Sequence, residues 1–217
     1  MRRPETLYLD SGDCIKAGNL AIPLKPEACW PLLAEAGCDF GTLGNRETHL
    51  RGGPMHDKLL GVEHELVVAN IRRRDNAPID LPLSPGVAFE FEGVNVGIFG
   101  VMVPMVTSRM AVAPLSEYIW EDPIRTAREM VAKFRSQVDL LIAITHIGIS
   151  QDRRLAEECP ELDAIFGGHS HTVLEQPEMV GSVAIMQGGS HGRFVGSYEW
   201  ANGTWSGGLI PLPAAKR

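Results

Sequence analysis

A mixed α/β fold is the architecture this sequence predicts, and three observations carry it. Short apolar runs repeatedly end in polar, glycine-flanked loops; residues 122–134 spell a helix with one buried face; and the continuous apolar run 138–145 delivers a histidine at its end. In α/β proteins ligands sit beyond the strand ends, where loops converge. The polar strand ends are therefore where chemistry is sought.

Taken in order, residues 6–10 form a short apolar strand that runs into the loop Ser11-Gly12-Asp13. Residues 27–36 have a helical pattern stopped by Gly37 in a C-cap position. Pro31 suits a first turn, so the regular helix is expected to start near Cys29 or Trp30. Residues 40–43 give a second strand, ending in Gly44-Asn45-Arg46-Glu47, and residues 66–71 a third. Residues 87–92 and 94–102 pair as a hairpin with Gly93 at or beside the turn. Asp122-Pro123 is a helix start, with Asp as N-cap and Pro at the first helical position. Ile124, Ala127, Val131 and Phe134 follow at helical spacing. The run 138–145 reads as a strand buried on both faces, delivering His146. Residues 152–159 form a short helix, and the strand 164–166 delivers Gly167-Gly168-His169-Ser170-His171. Strands at 183–186, 194–200 and 205–210 follow, the last two joined by the hairpin turn Asn202-Gly203.

The 217 residues are expected to form one domain, 1–217. A hydrophobic share of 44% excludes a disordered chain. With 20 Lys+Arg against 27 Asp+Glu the net charge is −7, which excludes a broad basic track for nucleic acid. The run Arg72-Arg73-Arg74 is read as a solvated turn. No apolar stretch is long enough for a membrane helix, because Gly97, Gly100 and Pro104 break the longest one. No leader-type apolar segment is visible, so a cytoplasmic protein without a membrane partner is expected. The cysteines Cys14, Cys29, Cys38 and Cys159 show no paired spacing and are expected as free thiols.

The strand ends deliver Asp13, Asn45, His146 and the pair His169/His171. Carboxylate, carboxamide oxygen and imidazole together suit Mn, Fe, Zn, Co or Mg without any thiolate. The same residues, in the same order, carry a resemblance. Gly12-Asp13, Gly44-Asn45-Arg46-Glu47, His146 and Gly168-His169-Ser170-His171 resemble the signature of the calcineurin-like metallophosphoesterases. The segments LDSGD, GCDFGTLGN, THIG, ELDAIFGGHSHT and QGGSHGRFVG resemble the 5'-nucleotidase branch in particular. The resemblance covers nearly the whole chain. It implies a four-layer α/β/β/α sandwich, here N-terminally shortened, with a two-metal site at the strand ends and phosphate-ester cleavage by metal-activated water.

Carried over by position, Asp13 would bridge two ions, Asn45, His146 and His169 would complete the second site, and His171 would face the first. Asp10 and Asp163 would orient a ligand through hydrogen bonds or cap nearby amides. His191, in a glycine-rich loop, would approach the substrate; His56 and His64 match nothing and are expected at the surface. The sequence departs from the family in three ways. The opening Asp-x-His motif has no counterpart, so one tight metal site and one weak site are expected, unless the gene encodes the missing strand upstream of Met1. Arg46 stands where the family has a proton-donating His, leaving either Arg46 as an anion clamp or an exchanged pair with His49 as the acid. The separate C-terminal domain that holds the nucleobase also has no counterpart, so a nucleotide-like substrate stays open. Two readings follow: a hydrolase acting on a small phosphomonoester or phosphodiester, or a non-catalytic relative that binds metal and a phosphate-bearing ligand. An unpaired strand edge adds the expectation of a homo-oligomer.

Overall fold

The computed structural model describes residues 5–213. The chain opens with β1 (Leu9–Asp10), α1 (Cys29–Ala36), β2 (Phe40–Gly41), α2 (Gly52–Leu59), β3 (Glu65–Val67), β4 (Ile71–Arg73) and β5 (Leu83–Ser84). It continues through the hairpin of β6 (Gly86–Phe91) and β7 (Val94–Met102), then β8 (Tyr118–Trp120), α3 (Pro123–Phe134), β9 (Leu140–His146) and α4 (Ile149–Glu158). The remaining strands are β10 (Ala164–Phe166), β11 (Glu178–Val180), β12 (Val183–Met186), β13 (Phe194–Ala201) and β14 (Thr204–Pro211).

Two sheets organise the molecule: one in the order β1-β2-β3-β5, all parallel, and one in the order β11-β12-β10-β9-β7-β6. Three hydrophobic clusters fill three interlayer spaces, and the period-2 alternation of the strands sorts side chains among them. Along β9, Leu141 and Ala143 join Ile124, Ala127, Val131 and Leu155 of α3 and α4. Leu140, Ile142 and Ile144 point the other way, into a core shared with Val67 of the first sheet. The far face of that sheet sends Leu66 into a cluster with Trp30, Met55 and Leu59 of α1 and α2. Helices, sheet, sheet, helices: the four-layer α/β/β/α sandwich is the observed architecture.

The expected caps form as the sequence reads. Asp122 accepts the amide N–H of Arg125 at 2.8 Å, and Gly37 closes α1 in the left-handed region at φ 74°. The strand expected over 66–71 is instead two pieces in different sheets, and α2 is an addition, because Gly52-Gly53-Pro54 reads as a loop until Met55, Lys58 and Leu59 are buried. Only Arg74 of the arginine run lies in an exposed turn. Arg72 and Arg73 lie in β4, paired to Glu121 and to Asp75 and Asp80, while Arg74 donates to the Ser116 carbonyl. No helix among the described residues is long and apolar enough to cross a membrane. All four cysteines are free thiols.

His56 is exposed as expected, but His64 is not: it is 8% exposed, its ring centroid 5.9 Å from that of Trp30. The missing side chain of Gly41 makes the room, since a Cβ there would lie 3.0 Å from His64 Nε2. Neither ring nitrogen has a hydrogen-bond partner, and burial pulls the pKa below its ordinary value. The folded state therefore binds fewer protons here than the unfolded state. The contribution of this histidine to stability is complete above the unfolded pKa of about 6.5 and is lost as pH falls from there through the lower folded pKa. Urea unfolding at pH 7, 6 and 5 is expected to show a smaller acid loss in His64→Leu than in the parent. Equal losses would mean that the imidazole finds a partner on protonation.

Candidate metal centre

Asp13, Asn45, His146 and His169 meet at the carboxyl ends of β1, β2, β9 and β10, where four loops converge. Close backbone approach makes the meeting possible. A Cβ at Gly44 would overlap Asp13 Oδ1, and one at Gly168 would lie 2.9 Å from His146 Nδ1. Of the seven non-glycine residues with positive φ among the described residues, four are Asp13, His169, His171 and His191. Such conformations cost of order 1–3 kcal/mol each and persist where the surroundings over-determine them.

The over-determination is visible. Glu47 is fully buried and accepts the amide N–H groups of Asp13 (2.9 Å), Gly44 (2.9 Å) and Ile15 (3.2 Å), tying the first loop to the second. Gln187, also buried, accepts from Thr172 N–H and Ser170 Oγ and donates to the Gly168 carbonyl, so it braces the loop that bears His169 and His171. Asn19 Oδ1 accepts from Asn45 Nδ2 at 2.9 Å, which turns Asn45 Oδ1 toward the histidines.

Four donor atoms converge. Asn45 Oδ1 lies 3.0 Å from His169 Nδ1 and 3.3 Å from His146 Nε2, and Asp13 Oδ2 lies 3.5 Å from His146 Nε2. The backbone carbonyl of Ser11 stands 2.7 Å from His146 Nδ1; a carbonyl only accepts, so Nδ1 carries a proton, and in the neutral ring Nε2 presents its lone pair. Lone pairs of one nitrogen and two oxygens thus face one another, an arrangement satisfied by a shared proton or by a cation. The titration behaviour agrees. Burial disfavours charge on His146, yet the hydrogen bond and charge of Asp13 hold its pKa above the ordinary value. Burial would raise Asp13, but His146 and the Arg46 amide bring it below the ordinary carboxylate value. His169 is lowered by burial and by the neighbouring His146.

The spacings fit a divalent ion. Two ligands about 2.1 Å from one ion stand about 3.0 Å apart in an octahedron and about 3.4 Å apart in a tetrahedron. The carboxamide is essential to the fit: among the described residues no three His, Cys, Asp or Glu side chains converge closely enough to hold an ion by themselves.

The other candidates divide. His171 and His191 lie together, ring centroids 6.0 Å apart, both exposed, with His191 Nδ1 2.8 Å from Ser190 Oγ. Asp10 caps the Gly12 amide at 3.2 Å, and burial followed by the charge of Glu47 pushes it up to about 6. Asp163 is not at the site. It accepts from Arg135 and from the Leu141 amide at the opposite end of the parallel strands β9 and β10, because a carboxylate preceding a strand caps the amides beside it. Arg46 also differs from expectation: its guanidinium donates to the carbonyls of Ile15 and Lys16, so it braces a loop, and its amide donates to Asp13 Oδ1 at 2.8 Å. His49 makes no hydrogen bond to the four-donor group. It accepts from the Arg51 amide and lines a neighbouring hollow of about 320 Å³ with Leu50, Met105 and Trp120. Sequence reasoning missed Asn19 and assigned no role to Glu47 or Gln187, although both of these carried a signal, as the end of Gly44-Asn45-Arg46-Glu47 and the start of QGGSHGRFVG.

No protein-family model matches the chain. It is 24% identical over 203 residues to an uncharacterized metallophosphoesterase, YunD, of Bacillus subtilis (strain 168), covering 90% of this chain and 42% of that protein. It is 28% identical over 180 residues to the 5'-nucleotidase of Mus musculus, covering 79% and 30%. Its fold matches the crystal structure of a 5'-nucleotidase precursor from Thermus thermophilus with a TM-score of 0.77 at 23% identity, covering 97% of this chain and 46% of that one. The chain thus spans less than half the length of these relatives. Its homologues are metallophosphoesterases and 5'-nucleotidases, and it shares their fold.

Proposed function

We propose that this chain carries the centre of a metal-dependent phosphohydrolase acting on a small phosphomonoester or phosphodiester, in a cytoplasmic setting. The observation that carries the reading is the convergence of Asp13 Oδ2, Asn45 Oδ1, His146 Nε2 and His169 Nδ1 at separations of 3.0–3.5 Å. The relatedness to metallophosphoesterases and 5'-nucleotidases supports it. A bound Mn, Fe, Zn, Co or Mg ion would supply Lewis acidity and an activated water. The residues supply the rest. Ser11 fixes the His146 tautomer, Asn19 aims the carboxamide, and the Arg46 amide holds one Asp13 oxygen so that the other is free. His171, whose charge acts on His169, and its neighbour His191 stand exposed, where donor N–H groups can meet phosphoryl oxygens. The Arg46 guanidinium is committed to carbonyls and supplies no proton to a leaving group, which favours aryl or anhydride esters over alkyl ones.

The donor count also sets an expectation for metal content. Asp13, Asn45, His146 and His169 serve one site, whereas a second has only His171 and a share of Asp13. Metal analysis of the purified chain under limiting metal is expected to give about one ion per chain. Two tightly held ions would require ligands outside this set. A homo-oligomer formed through the β1 edge belongs to the same proposal.

A further inference from the structure

We propose that Lys58 is a positioning residue for Asn45: its buried ammonium, caged by backbone carbonyls, locks the loop at residues 18–19 onto the loop at residues 46–48 and so sets the carboxamide that serves the metal centre. The proposal rests on the metal-centre reading, although the cage itself does not.

Lys58 is fully buried on α2, a position where a charge is costly unless it is well bonded. Its Nζ lies within hydrogen-bond distance of four carbonyl oxygens, Arg46 at 2.6 Å, Gly18 at 2.7 Å, Thr48 at 2.8 Å and Asn19 at 3.0 Å, so its three N–H groups serve four acceptors with one of them shared. All four acceptors are backbone groups of irregular loops, which otherwise leave such carbonyls without ladder partners. The arrangement replaces the hydration shell of a cation with carbonyl oxygens, as a selectivity filter does for a potassium ion. The backbone that bears the lysine is anchored in turn, since Trp30 Nε1 donates to the Lys58 carbonyl at 2.8 Å.

The route to the site is short. The cage grips the backbone of Asn19, whose side chain accepts from Asn45 Nδ2, and the backbone of Arg46 and Thr48, which flank Asn45 on its C-terminal side. Thr48 Oγ1 closes the turn on the Asn45 carbonyl at 2.8 Å. Without the ammonium, four carbonyls face one another and the two loops repel. Asn45 Oδ1 then loses its fixed direction toward His146 and His169.

The test uses Mn(II) affinity, read from the electron paramagnetic resonance of free Mn(II), in tetramethylammonium chloride. The proteins are the parent, Lys58→Ala, Asn19→Ala and the double variant. Both single variants are expected to bind Mn(II) at least about tenfold more weakly, the scale for partners that orient a ligand. The double variant is expected to be no weaker than the weaker single one, because both act along one path. Ammonium chloride at matched ionic strength is expected to restore Lys58→Ala, whose empty cage fits that cation, and to leave Asn19→Ala unrestored. Unchanged affinity in Lys58→Ala, or a loss that ammonium does not repair, overturns the proposal. Should Lys58→Ala not fold, the exposed Asn19→Ala decides, and unchanged Mn(II) affinity there overturns it. A parent protein that binds no Mn(II) overturns the metal-centre reading and this proposal together, whereas a binding parent with unaffected variants overturns this proposal alone.

Discussion

His146→Ala is expected to lose divalent-metal affinity by more than about 100-fold, beyond the range seen when an outer partner of a ligand is removed. The residue is 1% exposed, fixed by the Ser11 carbonyl, and central to the four-donor group. Its removal takes the one nitrogen that faces both Asn45 and Asp13. It also leaves the Ser11 carbonyl without its donor, at a stability cost of about 1–3 kcal/mol. The two effects separate in calorimetry: metal titration at a temperature where circular dichroism shows the variant folded reads the ligand loss alone. His56→Ala, on the exposed face of α2, serves as the unaffected control. Metal affinity within threefold of the parent would remove His146 from the ligand set.

The largest effect on stability is expected from Glu47→Ala. Three backbone amides in two loops end on this one carboxylate, and all lose their acceptor at once. Each unmet buried donor costs about 1–3 kcal/mol. Some of that is returned, because burial and the charge of Asp13 hold the Glu47 pKa above the ordinary carboxylate value, so the ionised form is itself not comfortable. A net loss of about 3 kcal/mol or more is the expected result, a large part of the ~5–15 kcal/mol typical of a domain. Glu47→Gln keeps one acceptor oxygen and should fall between the two. Urea midpoints at constant slope measure the series. An alanine variant within about 1 kcal/mol of the parent would mean that water reaches the amides.

Elements whose signal is local were legible in the sequence. The Asp122 cap, the Gly37 stop, the Asn202-Gly203 turn and the doubly buried run ending at His146 each rest on a few adjacent residues. The candidate ligands were legible because each sits at a strand end, and four of those side chains meet. Features that depend on partners distant in the chain were not legible. Lys58 reads as an ordinary surface lysine until loops 40 and 12 residues away close around it. Asn19 carries no pattern, and its importance comes only from meeting Asn45, 26 residues on. His64 looked like a surface residue because nothing in its neighbours announces the space left by Gly41. Asp163 takes the second of its two expected roles, capping the Leu141 amide: a carboxylate before a strand looks the same at either end of a sheet, and only the parallel register of β9 and β10 places it away from the site.

On the proposed function, the four-donor group at Asp13, Asn45, His146 and His169 holds an ion that drives phosphate-ester hydrolysis. The most direct measurement is turnover of an activated aryl phosphate and an aryl phosphodiester by the chain after chelation, followed by Mn, Co, Zn, Mg or Fe added back singly. The choice of aryl esters removes the need for a strong proton donor to the leaving group. Hydrolysis that disappears on chelation, returns with at least one of these ions, and is absent from His146→Ala under every ion is the predicted result. No turnover of either ester with any ion, by protein that binds metal, would contradict the catalytic claim and leave a metal-binding centre without hydrolysis.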